Sequence, residues 1–401
     1  MTKIGNLFLS SPGASENSSS ALACKLTHPF SKSFEWACPD SRWHVAIDAG
    51  GGHVSARNAD KMAFEDVKHH GMAAIMRALD LAAIQENLVS SVKELGDYSI
   101  CRFYENEAPV VRLTSVARQA ISIQLHIEQR DADGNLIPQP IPPVPVWNRA
   151  FRYYRLSQLA TDIYEAYRNL YLAFEALAEH IFPRMPKERE GDWIRRAFEG
   201  AHDKYSLAGL VPENCRNPGD YLFGTLYKHV RCNLFHSQSA DSILPYYQVD
   251  ATAVQHAYEA LLRVWRHISA HALGTSSGGG VVTHQGFRHM MSNALGANVK
   301  GIVTQVELPT RNEGAASIPI AVQALDECIY IGEVSAGMVA VTASQRSPAS
   351  LPKIRCAGIM TETSAQLFCE IPDGLEVGDV AYFQMHLGFR LVQGGMPKTE
   401  F

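Results

Sequence analysis

Arg231 and His236 stand five positions apart in the stretch Tyr227-Lys228-His229-Val230-Arg231-Cys232-Asn233-Leu234-Phe235-His236-Ser237-Gln238. An RNA strand carries its own nucleophile, the 2′-hydroxyl, so a site that removes its proton and neutralises the phosphorane needs no metal. An imidazole with an ordinary pKa of about 6.5 suits that proton transfer near neutral pH. A guanidinium stays charged and its planar donors match phosphate oxygens. On this chemistry His236 is general base or acid, Arg231 binds the scissile phosphate and stabilises its transition state, and Asn233 orients the ribose or the imidazole. The products would be a 2′,3′-cyclic phosphate and a 5′-hydroxyl, with no cofactor and no metal required.

Positioning these groups falls to a helix. Leu226, Val230 and Leu234 recur at four-residue steps and mark its buried side, while Arg231 and His236 lie about 140° apart around the axis at about 100° per residue. The two polar heads share a site only where the helix bends, ends or meets a second copy. Upstream, Trp147 to about Ile181 reads as one helix. Leu156, Leu159, Ile163, Tyr167, Leu170, Phe174, Leu177 and Ile181 keep three-and-four spacing, the pattern of a bundle face. Near its start Arg149, Arg152 and Arg155 alternate with Phe151, Tyr153 and Tyr154; arginines with interleaved aromatics suit RNA backbone and base stacking, and equally suit a solvated face. Pro183 and Pro186 end this helix. A shorter one over Asp192 to Phe198 leads to the Arg231 helix, and Asp250 or Thr252 caps a last one reaching Leu273. There His267 and His271 are four apart, but without a third ligand they read as surface histidines.

Arg231-Cys232-Asn233-Leu234-Phe235-His236, together with the apolar helix Tyr164 to Leu177, resembles the Arg-x4-6-His signature and first bundle helix of HEPN domains, the higher eukaryote and prokaryote nucleotide-binding helical modules. The resemblance spans roughly residues 147 to 274. It implies a helical bundle and, in many members, metal-independent endoribonuclease activity at a composite cleft where two copies of the motif meet, so a homodimer acting on RNA is expected. Such an enzyme would serve as a toxin or phage-defence effector gated by its flanking domains, through a regulatory ligand or partner protein. The alternative is a catalytically silent module that binds a nucleotide or a partner as an accessory protein. Cys232 occupies a position where many active members carry Asn, Asp or His.

The rest of the chain bounds these readings. With 401 residues, two or three domains are expected. Hydrophobic residues at 46% and charged residues at 19% fit a packed protein, and the net charge of −5 excludes one that coats nucleic acid by bulk electrostatics. Residues 147 to 274 alone escape acidity, with 15 Lys and Arg against 14 Asp and Glu. No apolar run approaches the roughly 20 residues of a membrane helix, and the Ser-rich start does not fit a secretory signal. A cytoplasmic protein with no membrane contact is expected. Eight scattered cysteines without a C-x-x-C pair read as reduced thiols.

The expected fold class is α+β multidomain. Residues 1 to 22 form a flexible start, and 23 to 137 an α+β domain with a hairpin at Gly50-Gly51-Gly52 and a long helix beginning at Asn58 or Asp60 that Gly71 breaks or kinks. A Pro-rich linker occupies 138 to 146. The helical bundle fills 147 to 274, and a Gly/Ser linker follows over 275 to 280. Alternating short strands over 281 to 401 point to a small β-barrel or sandwich.

Overall fold

The computed structural model describes residues 1–10, 18–39, 41–93, 96–121, 131, 133, 135–136, 144–235, 251–275, 282–296, 298–307, 321–335, 337–362, 365–393 and 397–399. Most of the Pro-rich linker and most of the Gly/Ser linker lie outside these residues. In chain order the elements begin with β1 (Lys3–Ile4), β2 (Leu7–Phe8), β3 (Ser20–Lys25), β4 (Phe34–Ala37), β5 (Trp43–Ile47) and β6 (His53–Asn58). Then come α1 (Phe64–Glu86), β7 (Tyr98–Glu105) and β8 (Ala108–Ile121). Helices α2 (Ala150–Leu159), α3 (Ile163–Ile181), α4 (Glu190–Tyr205) and α5 (Pro218–Leu222) follow, with a π-helix (Phe223–Arg231), α6 (Cys232–Phe235) and α7 (Ala251–Leu273). Last are α8 (His284–Leu295), β9 (Lys300–Thr304), β10 (Gln323–Ala324), β11 (Glu327–Ser335), β12 (Met338–Arg346), β13 (Ile354–Met360), β14 (Ala365–Glu376) and β15 (Tyr382–Gln393).

The chain is mixed α+β and forms two compact units, one of residues 1–122 with 281–394 and one of residues 123–280 with 395–401. The first unit corrects the expected division of the flanks into separate N-terminal and C-terminal domains. Its nine-stranded sheet runs β11-β12-β15-β8-β7-β3-β6-β5-β4, and its six-stranded sheet β10-β9-β13-β14-β1-β2. Both draw strands from the two ends of the chain. β15 pairs parallel to β8, from Tyr382 opposite Val110 to Gln393 opposite Ile121, and β1 pairs antiparallel to β14. Neither sheet closes into a barrel among the described residues. Alternation identifies a strand locally, but pairing across some 270 residues depends on which apolar faces must be buried together.

α1 packs Leu79, Ile75 and Val67 on one face of the larger sheet, against Leu22, Trp43, Val54 and Phe103. Its cap residue is Ala63, later than Asn58 or Asp60, and the helix continues through Gly71. A Cβ at residue 71 would lie 2.9 Å from the Leu22 Cβ, so the glycine is where the helix approaches β3 closely rather than a break. The opposite sheet face and the smaller sheet enclose a second core of Tyr98, Ile100, Leu113, Ile354, Leu375 and Phe383. The first residues belong to it: Ile4 and Leu9 are fully buried, which corrects the expected flexible start over residues 1–10. The expected hairpin at Gly50-Gly51-Gly52 is present as the antiparallel pair β5 and β6.

In the helical unit, Tyr167, Leu170, Phe174 and Leu177 of α3 pack with Trp193 and Phe198 of α4, Leu226 of the π-helix and Leu261 and Trp265 of α7. Fully burying each such side chain contributes about 1.5–3 kcal/mol. The single helix expected from Trp147 to Ile181 is two helices. The break lies at Ala160–Asp162, where the Asp162 carboxylate accepts from the main-chain N–H of Tyr164 and Glu165, both at 2.9 Å. Asp162 followed three places later by Glu165 is an N-terminal signal that outweighs the continuous apolar spacing. Asp162→Ala is expected to cost about 1 kcal/mol of the helical unit's stability in urea unfolding; a loss under about 0.3 kcal/mol would show that packing alone sets the break.

Candidate functional site

The stretch that carries Arg231 is neither a straight α-helix nor a simple helix end. Asn217 caps α5, accepting from the Asp220 N–H at 3.2 Å, and the chain then widens into a π-helix over Phe223–Arg231 before closing again in α6. Single π turns inside α-helices often mark functional positions, because they re-aim side chains relative to the 3.6 repeat. Tyr167 of α3 supports this turn from the core, its hydroxyl donating to the Leu226 carbonyl at 2.7 Å. Arg168 on the same helix donates to the Leu234 carbonyl at 3.0 Å.

Arg231 points inward. Its side chain is 11% exposed and its Nη2 lies 2.6 Å from Glu190 Oε1 and 3.6 Å from Glu175 Oε1. The guanidinium carbon lies 4.9 Å from the Phe235 ring centre, 5.3 Å from that of Tyr227 and 5.8 Å from that of Tyr171. A cation between two carboxylates and three aromatic faces is well compensated for its lost water. Arg231 Nε and the buried Tyr171 hydroxyl have no hydrogen-bond partner among the described residues.

The electrostatics follow from this enclosure. Burial, opposed by Arg231 and aided by Glu190, leaves the Glu175 carboxyl raised to about 7. Burial opposes the charge on Arg231, but Glu190 and Glu175 outweigh it and hold the guanidinium above its ordinary range. Burial also raises Tyr227 to about 12 and Tyr171 well above the usual phenol range. Near neutral pH the cluster therefore pairs a fixed guanidinium cation with a Glu175 carboxyl close to its midpoint.

His236, the other half of the expected pair, lies outside the described residues. Asn233 is there, and its amide donates to the His229 carbonyl one turn back at 3.0 Å. Cys232 is half-buried. Arg149, Arg152 and Arg155 form no ion pair with Glu175 or Glu190. They are exposed on and just before α2, and none of their guanidiniums has an ion-pair or hydrogen-bond partner among the described residues. Trp147 beside them is 72% exposed, with Leu159 at 64% on the same helix.

The cluster residues that the sequence concealed are Glu175 and Glu190. Glu175 was visible as a carboxylate inside the apolar run of α3; nothing local marked Glu190 as its neighbour. Among the described residues no group of three or more His, Cys, Asp or Glu could hold a metal. His267 bonds the Tyr205 carbonyl at 2.7 Å and His271 the His267 carbonyl at 2.8 Å, so both imidazoles serve the helix packing. No described helix is long and apolar enough to cross a membrane. Comparison with protein-family models, with curated proteins and with solved structures found no match to this chain.

Proposed function

We propose that the helical unit is an RNA-binding module of HEPN type that acts as an accessory to a partner activity. The observation that carries this reading is the row of exposed guanidiniums at Arg149, Arg152 and Arg155, unpartnered among the described residues, beside the exposed Trp147 ring. Guanidiniums free of carboxylates hold phosphates, and an exposed indole offers a face on which a base can stack. The net charge of −5 makes this a local contact rather than a general one. A silent role agrees with Arg231, whose donors face two carboxylates: a phosphate reaching it must displace Glu190 and be desolvated beside Glu175.

Metal-independent cleavage is the second reading, and a specific observation favours it. Glu175, raised to about 7 next to Arg231, is a second proton-transfer group for a site in which His236 alone would have to act as both base and acid. In that case two copies of the chain would bring two motifs to one cleft.

One set of variants tests both. Arg152→Glu with Arg155→Glu is expected to weaken binding of a single-stranded RNA by more than about tenfold and to reduce the slope of log K against log salt by roughly one per lost phosphate contact. Unchanged affinity would end the α2 reading. Incubation of the wild type with RNA in EDTA should give no cyclic-phosphate ends; cleavage abolished by Arg231→Ala and His236→Ala would replace the accessory reading with the enzymatic one.

A further inference from the structure

The chain's last described residues fold back into the helical unit, although they follow the final strand of the other. Pro397–Thr399 are half-buried and hydrogen-bonded to α2 and α7. Lys398 is read twice. Its N–H donates to Gln158 Oε1 at 2.6 Å, and its carbonyl accepts from the Tyr258 hydroxyl at 3.1 Å and from Gln158 Nε2 at 3.4 Å. A single glutamine amide thus meets both main-chain groups of one residue, as a neighbouring strand would. Gln255, one turn before Tyr258 on α7, donates to the Thr399 carbonyl.

The side chain is read as well. Lys398 Nζ donates to the Ala160 carbonyl at 2.7 Å, at the C-terminal end of α2. Helix C-termini present unpaired carbonyls and the negative end of the helix dipole, so an ammonium is the group they favour. The readers are themselves held. Tyr258 is fully buried, and its hydroxyl also meets Gln158 Nε2 at 2.8 Å and Ser157 Oγ at 3.2 Å. Gln255 is braced by Glu259 Oε1 at 2.7 Å. Neutral amides and a phenol take the backbone, and a helix end takes the charge. This set fits any extended peptide that puts a lysine at the position of residue 398.

We propose that this α2–α7 groove is a recognition site for an extended, lysine-bearing peptide, and that the chain's own residues 397–399 are its resident, displaceable ligand. The inference is independent of whether α2 also meets RNA, because it uses Ser157, Gln158 and Ala160 and none of the arginines.

The test uses a labelled synthetic peptide of residues 393–401 and two forms of the chain, one of residues 1–401 and one ending at Met396. The peptide is expected to bind the shortened chain and to bind the full chain at least about tenfold more weakly, since there the tail competes at high effective concentration. A peptide carrying Lys398→Met should bind the shortened chain about tenfold more weakly, the worth of one charge-assisted hydrogen bond. Equal binding to both chains, no binding to a folded shortened chain, or indifference to Lys398→Met overturns the proposal. If the shortened chain does not fold, amide exchange in the full chain decides: Gln158→Ala should speed exchange of the Lys398 N–H by about tenfold or more, the loss of its one strong acceptor. Unchanged exchange overturns the proposal.

Discussion

Arg231→Ala is expected to destabilise the helical unit by roughly 3–5 kcal/mol, the usual cost of leaving buried charge without its partner. The wild-type guanidinium, 11% exposed, is the counter-charge shared by Glu175 and Glu190. Without it those carboxylates face each other and three aromatic rings. The penalty should depend on pH, and its sign follows from Glu175. Its folded pKa of about 7 lies above the ordinary carboxyl value, so between about pH 4.5 and 7 the folded protein keeps a proton that the unfolded chain has released. Stability from this group is therefore fully present below about pH 4.5 and is lost as pH rises through 7. In Arg231→Ala the lowering influence on Glu175 is gone, so its ionisation above pH 7 becomes costlier still. Urea unfolding followed by circular dichroism at pH 5 and pH 8 should show the larger penalty at pH 8, and adding Glu175→Gln should remove most of that difference. A loss under about 1 kcal/mol at both pH values would mean that the cluster is solvated and that Arg231 is free to meet a ligand.

How much of this cluster the sequence shows depends on the range of the interaction. The apolar spacing of Tyr167, Leu170, Phe174 and Leu177 places α3 in a core, because one face of a helix is a local property, and those side chains are buried. Arg231 with Leu226, Val230 and Leu234 marks the buried side of its own segment, and all three apolar residues are indeed in the core. The widening into a π-helix is not local in this sense: it depends on Tyr167 reaching the Leu226 carbonyl from another helix. Glu190 lies 41 residues before Arg231, and only the packing of α4 brings it to 2.6 Å. The same division runs through the β unit. Strands β5, β6, β7, β12 and β13 are legible from alternation and turn residues, whereas the parallel pairing of β15 with β8 follows from burial of faces that no window of sequence contains. The tail contact was hidden for a further reason, since Pro397, Lys398 and Thr399 carry no periodic pattern at all.

Asp373→Ala is expected to destabilise the β unit by about 3 kcal/mol. His53 at the start of β6 is fully buried, with Nδ1 at 2.5 Å from Asp373 Oδ2 and Nε2 at 3.1 Å from the Tyr98 hydroxyl. His53 Nδ1–H donates to the carboxylate, which orients the ring so that Nε2 meets the Tyr98 hydroxyl. The same oxygen of Asp373 accepts from the Gly52 N–H at 2.9 Å. Alanine would strand both donors where water does not reach His53. Asp373→Asn keeps a carbonyl oxygen for one of them and should cost about 1 kcal/mol, so the ratio of the two losses separates hydrogen bonding from charge. Burial pushes the Asp373 carboxyl up, but the His53 hydrogen bond and charge and the Gly52 N–H outweigh it and hold it below its ordinary range. The stability it confers is thus present above about pH 4 and is lost as pH falls through its folded value. The asparagine variant should lack that acid limb. Because β14 carries both Asp373 and the partners of β1, Lys3 opposite Glu376 and Ile4 opposite Leu375, the alanine variant should also speed amide exchange at Ile4. Exchange there at the wild-type rate, with unfolding unchanged, would mean that the sheet holds its first strand without the histidine and that the buried pair is not a structural lock.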